Sequence, residues 1–246
     1  VEAPEAAILA GQINEKLSGR TVTEVIAAQT PHKFAWYYGD AQAYRAAMVG
    51  KEFGPARRIG GYIEVAVEDY VLLLGEGINL KYIGPGEDLP RKHQLLIGFD
   101  DESCLVVSVR MYGAMMLFPA DPPEFSFSLY YNSAKDKPQV MLPEFTEEYF
   151  LGLIDAPGAG KKSAKAFLAT EQTIPGLGNG VLQDILYNAR IHPKTKIALL
   201  DDGQKQQLYR CIVDTLNAIY ENGGRNSETD LYGRAGGYVP FLSKDT

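Results

Sequence analysis

Only two cysteines and three histidines occur in 246 residues, and each scarcity removes a class of protein. Cys104 and Cys211 cannot build a disulfide framework or a four-cysteine zinc site. His32, His93 and His192 show no metal-ligand spacing. No apolar run reaches the roughly 18 residues of a membrane-spanning helix; the longer ones, such as 71–74, are strand length. A basic-then-apolar leader is also missing, so the expected location is cytoplasmic. What remains is an ordinary globular mix, 46% hydrophobic and 22% charged. It suits one large domain or two modest ones, each able to bury a core.

Positive charge is scarce too. The formal net charge is −7, which by itself argues against a nucleic-acid partner. The average hides a local patch. Residues 155–196 hold Lys161, Lys162, Lys165, Arg190, Lys194 and Lys196 against Asp155, Glu171 and Asp184. A basic segment inside an acidic chain suits an anionic partner.

The pattern changes near residue 140. Before it, Leu9, Ile13 and Leu17 recur every four residues, which predicts one helix over 4–17 with Gly19 as its stop. Strand-like runs follow at 21–28, 62–67, 70–74, 79–83, 94–99, 104–111 and 114–118, with 68–69 and 100–102 as tight connections. Many short strands with close turns predict a β-sandwich or flattened barrel. Residues 119–143, rich in proline and polar side chains, read as a loop. After it, helices are expected at 146–154, capped by Thr146, at 163–169, at 179–189 and at 202–220. Gly223-Gly224 ends the last of these, and a glycine-rich tail follows.

Two glycine-bearing segments invite a phosphate reading. Residues 156–163, APGAGKKS, fail as a nucleotide phosphate loop: Asp155 stands where the first glycine belongs, and Lys162 where serine or threonine belongs. Gly176-Leu177-Gly178-Asn179-Gly180 lacks dinucleotide spacing, yet it is a turn that opens a helix, where backbone N–H groups and the dipole favour an anion. A plain helix–helix turn is the alternative.

The text around that turn resembles a known family. Residues 173–194, TIPGLGNGVLQDILYNARIHPK, are similar to the helix–two-turn–helix signature of the formamidopyrimidine-DNA glycosylase/endonuclease VIII family. The family pattern is a PG(I/V/L)GN turn, a helix ending in (A/S)-x-I-H-P, and a lysine about 14 residues before the asparagine; Asn179, Ile191-His192-Pro193 and Lys165 match it. The opening Val1-Glu2-Ala3-Pro4-Glu5 resembles the family's P-E-L-P-E. Leu17-Ser18-Gly19-Arg20-Thr21-Val22 resembles its approach to the first strand. Arg110-Met111-Tyr112-Gly113-Ala114 resembles its duplex-probing loop, and Tyr232-Gly233-Arg234 the segment before its zinc ribbon. The matches run in the family's order along nearly the whole chain.

The resemblance implies an α+β fold: a catalytic two-layer β-sandwich with an opening helix over residues 1–135, a helical DNA-binding domain over 136–225, and a tail over 226–246 leading toward the ribbon. It implies damaged DNA as partner, a monomer with no membrane association, and a base-excision-repair glycosylase that removes oxidised bases, with lyase activity through a Schiff base. The implied nucleophile is the Val1 α-amine, with Glu2 as the adjacent acid/base group. An α-amine suits this work, because amines of that class have a pKa of about 7.7–8.0 against about 10.4 for lysine, so far more is neutral at pH 7. Lys165, Asn179 and Gly178 would hold phosphates beside the lesion, while Arg110 and Tyr112 would fill the gap left by an extruded nucleotide. Asp184 and His192 would be structural. No cofactor is expected, since the family's zinc cysteines do not occur.

Three departures shape the expectation. Val1 replaces proline; its primary, β-branched amine must form an imine that is then protonated, which predicts a weaker lyase with base excision retained. The absent methionine fits removal before a small residue. Gly61 stands at a family lysine position, leaving Arg57 or Arg58 to supply charge. Glu76-Gly77-Ile78 stands at a second probing position, where a carboxylate is unfavourable beside DNA. Either the chain lacks the ribbon naturally or it is truncated. A non-catalytic damaged-DNA-binding homologue is the alternative these departures support; a helix–two-turn–helix RNA-binding module is a more distant one.

Overall fold

A computed structural model describes residues 1–121 and 129–242, and the backbone alone at Glu76 and Leu129. The first element is helix α1, Ala3–Lys16. Its start is set by Pro4 in the first turn, where a missing N–H costs nothing, and by Glu5, whose carboxylate accepts the Glu2 backbone N–H at 3.4 Å. Leu9, Ile13 and Leu17 are buried; each removes an aliphatic side chain from water, worth about 1.5–3 kcal/mol.

Eight strands follow in one hydrogen-bonded sheet: β1 Arg20–Ala27, β2 Ala35–Trp36, β3 Glu52–Phe53, β4 Ala56–Ile59, β5 Tyr62–Val67, β6 Tyr70–Ile83, β7 Leu95–Phe99 and β8 Cys104–Pro119. A short helix, α2 Tyr44–Met48, lies between β2 and β3. The order is β3-β1-β7-β8-β6-β5-β4, with β2 paired in parallel to β8. The expected sandwich is therefore built from a single sheet, whose long strands β6 and β8 bury side chains on both faces. One face packs on α1 through Val65, Leu72, Ile97 and Leu105. The other gathers Tyr62, Leu73, Met116, Phe118 and Tyr131.

Two pairs of expected strands merge. Residues 70–74 and 79–83 are one strand, as are 104–111 and 114–118. The register explains the interruption that the sequence suggested. Ile78 pairs with Val109 and Glu76 with Gly113, so one residue of β6, Gly77, is matched by three of β8. The surplus makes a bulge that pushes Arg110, Met111 and Tyr112 outward. The stretch read as a proline-rich loop contains a helix, α3 Leu129–Lys135; residues 122–128 of it lie outside the described ones. Tyr131 anchors α3 by donating its hydroxyl to Glu64 at 2.5 Å, and burial together with that carboxylate pushes the phenol well above its usual range.

The helical part contains α4 Glu147–Asp155, α5 Asn179–Asn188 and α6 Asp202–Glu221. Thr146 caps α4 by accepting the Tyr149 N–H, and Asp201 caps α6 by accepting that of Gln204. The helix expected over 163–169 is present over 164–170, but its last five residues, Ala166–Thr170, are a π-turn, closed by the Glu171 N–H on the Ala166 carbonyl at 3.1 Å. Phe150, Phe167, Ile185 and Leu216 form this second core. Ala3 belongs to it, whereas Ala6 belongs to the sheet core. The first turn of α1 is thus wedged between the two, and places Val1 and Glu2 at their seam. No helix among the described residues is long and apolar enough to cross a membrane.

Candidate active site

A cavity of about 760 Å³ opens along that seam. Its sheet side carries Trp36, Gly61, Tyr62, Gly77, Tyr112, Ala114 and Met116. Its helical side carries Ala169, Thr170 and Gln172 from the π-turn and its exit, and Gly176, Gly178 and Asn179 from the glycine turn. Val1 and Glu2 lie between them. A π-turn at the wall of a cleft is a recurrent feature of functional sites.

Glu2 is the best-defined polar group there. Its carboxylate accepts the Gly180 N–H at 2.8 Å and the Val181 N–H at 3.0 Å. These are the second and third helical residues of α5, whose N-cap, Gly178, has no side chain to satisfy them. Glu2 therefore caps α5 from another element, with the helix dipole favouring its negative charge. The glycines are what permit this. A β-carbon on Gly178 would stand 2.6 Å from Glu2 Oε1, and one on Gly180 2.8 Å from it. The anion-binding turn expected from the sequence exists, but two of its N–H groups hold a carboxylate of the chain itself.

The turns that frame Val1 meet backbone to backbone. Gly176 has φ +81°, and a β-carbon on it would lie 2.5 Å from the carbonyl carbon of Gly60. The Ala3 N–H donates to the Gly176 carbonyl at 2.9 Å. Gly61 is next to the terminus: a β-carbon there would lie 3.3 Å from the Val1 carbonyl oxygen and 3.9 Å from Glu2 Cα. A lysine at this position would reach the cleft; glycine leaves that charge out. Neither arginine replaces it. Arg57 pairs with Glu64 at 2.6 Å. Arg58 donates to the Val140 carbonyl at 2.5 Å, and burial, against the pull of Glu144, lowers its guanidinium to about 10.

The expected site residues divide in two groups. Val1, Glu2, Tyr112, Gly178 and Asn179 line one cleft. Arg110 and Lys165 are exposed but are not part of its lining. Lys165 sits beside the His192-Pro193 turn, donating its N–H to the Pro193 carbonyl, and His192 accepts the Lys194 N–H within that turn at 3.2 Å. Asp184 is buried and accepts the Tyr238 hydroxyl at 2.8 Å and the Phe241 N–H at 3.1 Å, strapping the tail to α5. The Glu76 side chain is outside the described residues.

Met111, quoted within the probing loop but given no role of its own, is 69% exposed at the crest of the β8 bulge. Two residues escaped the sequence reading. Trp36 stacks near Tyr112 with ring centres 5.8 Å apart; being the sole tryptophan was its one signal. Arg225 lines the cleft from beyond α6, and only its place after two glycines marked it. No group of three or more His, Cys, Asp or Glu among the described residues could hold a metal. Residues 212–246 contain neither cysteine nor histidine, so they do not fit a zinc site.

No family model matches the chain. A curated formamidopyrimidine-DNA glycosylase of Bacillus cereus is 23% identical over 98% of this chain and 86% of its own length. One from Lactobacillus delbrueckii subsp. bulgaricus is 27% identical over 91% and 83%. Among solved structures, Lactococcus lactis Fpg bound to DNA containing an abasic site superposes with a TM-score of 0.78 at 21% identity, covering 96% of this chain and 84% of that one. The same protein with DNA containing N7-benzyl-Fapy-dG gives 0.78 at 20%.

Proposed function

We propose that the chain is a member of the formamidopyrimidine-DNA glycosylase/endonuclease VIII family and a base-excision-repair DNA glycosylase acting on oxidised bases, with abasic-site lyase activity. The observation that carries this reading is the meeting of Val1, Glu2 and Asn179 in one cleft, with the Glu2 carboxylate fixed on the first turn of α5. Such a protein works in the compartment that holds DNA, which in a bacterial cell is the cytoplasm.

The chemistry follows from these groups. The Val1 α-amine, in the chain that begins at that residue, attacks C1′ of an extruded nucleotide as the bond from C1′ to the base breaks, and the base leaves with the bonding pair and gains a proton. The nitrogen, now bonded to carbon, gives up a proton to the Glu2 carboxylate. Glu2 returns it to the ring oxygen as the C1′–O4′ bond opens, leaving a Schiff base. Protonated, that imine draws electrons from C2′. Loss of a C2′ proton then expels the 3′-phosphate, and water releases the enzyme. Both requirements of Glu2, accepting and then donating, are served by a fixed carboxylate with lone pairs left for the proton.

Asn179 offers its exposed amide to a phosphate, with Gly178 keeping the backbone open for Glu2 behind it, and Lys165 extends the contact along the strand. Tyr112, backed by Trp36, fills the stack where the nucleotide has left, and Arg110 faces the unpaired base on the opposite strand. Incubating the protein with abasic-site DNA and borohydride tests the reading. A covalent adduct on Val1, lost when the amine is acetylated, is expected. Tight binding to damaged duplex with neither adduct nor base release would instead identify a non-catalytic damage-binding protein.

A further inference from the structure

One basic side chain in the cleft has no part in the chemistry above. Among the described lining residues, Arg225 is the only lysine or arginine, and it is 5% exposed. Two carboxylates at the start of α1, the N-cap Glu2 and Glu5 of the first turn, share its guanidinium. Nε and Nη2 donate to the two oxygens of Glu5 at 2.7 and 3.1 Å, and Nη1 lies 3.5 Å from Glu2 Oε1. The Arg225 backbone N–H also donates to Glu5, at 3.3 Å. A forked, two-point bond of this kind leaves a guanidinium no freedom to turn. Its third nitrogen is therefore aimed.

The aim depends on Gly180. A β-carbon at that position would stand 1.6 Å from Arg225 Nη1. The guanidinium thus occupies the space in which any side chain at 180 would begin, and the second glycine of Gly178-Asn179-Gly180 is a notch cut for it. Glu2 is held from two sides, by the α5 amides and by this nitrogen.

We propose that Arg225 is a positioning residue: gripped by Glu5 and seated in the Gly180 notch, it holds the Glu2 carboxylate in the orientation that serves the reacting sugar. The proposal rests on the reading of Glu2 as the proton carrier. A purely structural arginine, present to neutralise buried Glu5, would affect folding and leave the chemistry of a folded variant alone.

The test uses the full chain as Arg225→Lys, Gly180→Ala and the charge-balanced double variant Glu5→Gln/Arg225→Gln, each checked by melting temperature. In single-turnover base release from an oxidised-purine duplex, the double variant is expected to lose about 30-fold or more in maximal rate, with half-saturating DNA changed less than about threefold. Arg225→Lys, which keeps the charge without the fork, should retain an intermediate rate, and Gly180→Ala should fall with the double variant. Adding the double variant to Glu2→Gln should cost less than about threefold more, because Arg225 acts only through that carboxylate. Amide exchange at Gly180 and Val181 should quicken about tenfold while sheet amides stay protected. A folded double variant with the wild-type rate, losses that multiply with Glu2→Gln, or unchanged exchange at residues 180 and 181 would each overturn the proposal. If the wild-type protein neither releases base nor traps abasic DNA, the glycosylase reading fails instead, and the amide exchange alone decides whether Arg225 holds Glu2.

Discussion

Glu2 caps a helix that is not its own, and this one choice ties the chain's start to residue 180. A glutamine there keeps an acceptor for one N–H but cannot carry a proton. Glu2→Gln should therefore lower single-turnover base release by about 10²–10⁴, while stability changes by about 1 kcal/mol or less, the scale of a weakened cap. Gly61 offers the reverse experiment. A side chain there starts 3.3 Å from the Val1 carbonyl oxygen, so Gly61→Lys needs only a small local shift to put an ammonium beside the terminus. One added phosphate contact should steepen the salt dependence of duplex binding by about 0.9 in slope, readable by anisotropy titration over a series of salt concentrations. Residue-scale roles were the least legible in the sequence. The match at Val1, Glu2 and Asn179 came from motif text, whereas Arg225 lies 220 residues from its partner Glu5, a separation no local pattern reports.

At the scale of elements, periodicity served the helices well. The fourfold spacing of Leu9, Ile13 and Leu17 and the cap at Thr146 mark real ends. The strands were harder. Arg110-Met111-Tyr112-Gly113 has the polar, glycine-ended look of a turn, yet it is a bulge inside one 16-residue strand, because β6 and β8 pair on either side of it and only register reveals that. Helix α3 was hidden because its stability comes from docking, through Tyr131 on Glu64 and on the ring of Tyr62, and not from its own short sequence. The seam beside it contains a weak point. Arg58 is held by one carbonyl, and its Nη1 has no hydrogen-bond partner. Replacing it by methionine should raise stability by about 1 kcal/mol, or about 2–4 °C in melting temperature. The sign with pH is fixed by the guanidinium, which burial lowers from its ordinary range to about 10. The buried cation costs stability at every pH below about 10, and the advantage of Arg58→Met shrinks as pH rises through that value.

At the scale of the whole molecule, an acidic chain can bind a polyanion because its charge is unevenly spread. The net −7 is an average, and the exposed lysines around the glycine turn lie on one segment. Lys165→Ala should weaken binding to all duplexes by a similar factor and flatten the salt slope by about 0.9, without changing discrimination between damaged and intact DNA. The two cores are joined where Gly60 meets Gly176. Gly176→Ala places a β-carbon 2.5 Å from the Gly60 carbonyl carbon at φ +81° and should cost about 1–3 kcal/mol. Gly152→Ala in α4, with nothing within 4 Å, should instead gain up to about 1 kcal/mol. Thermal melts of the two give opposite signs.

That glycine pair is a dovetail joint with no rotamers in it. Repacking a side chain elsewhere has nothing there to loosen or tighten, so the spacing of the two cleft walls is inherited directly from peptide geometry. Neither half of the joint can be enlarged without moving the other.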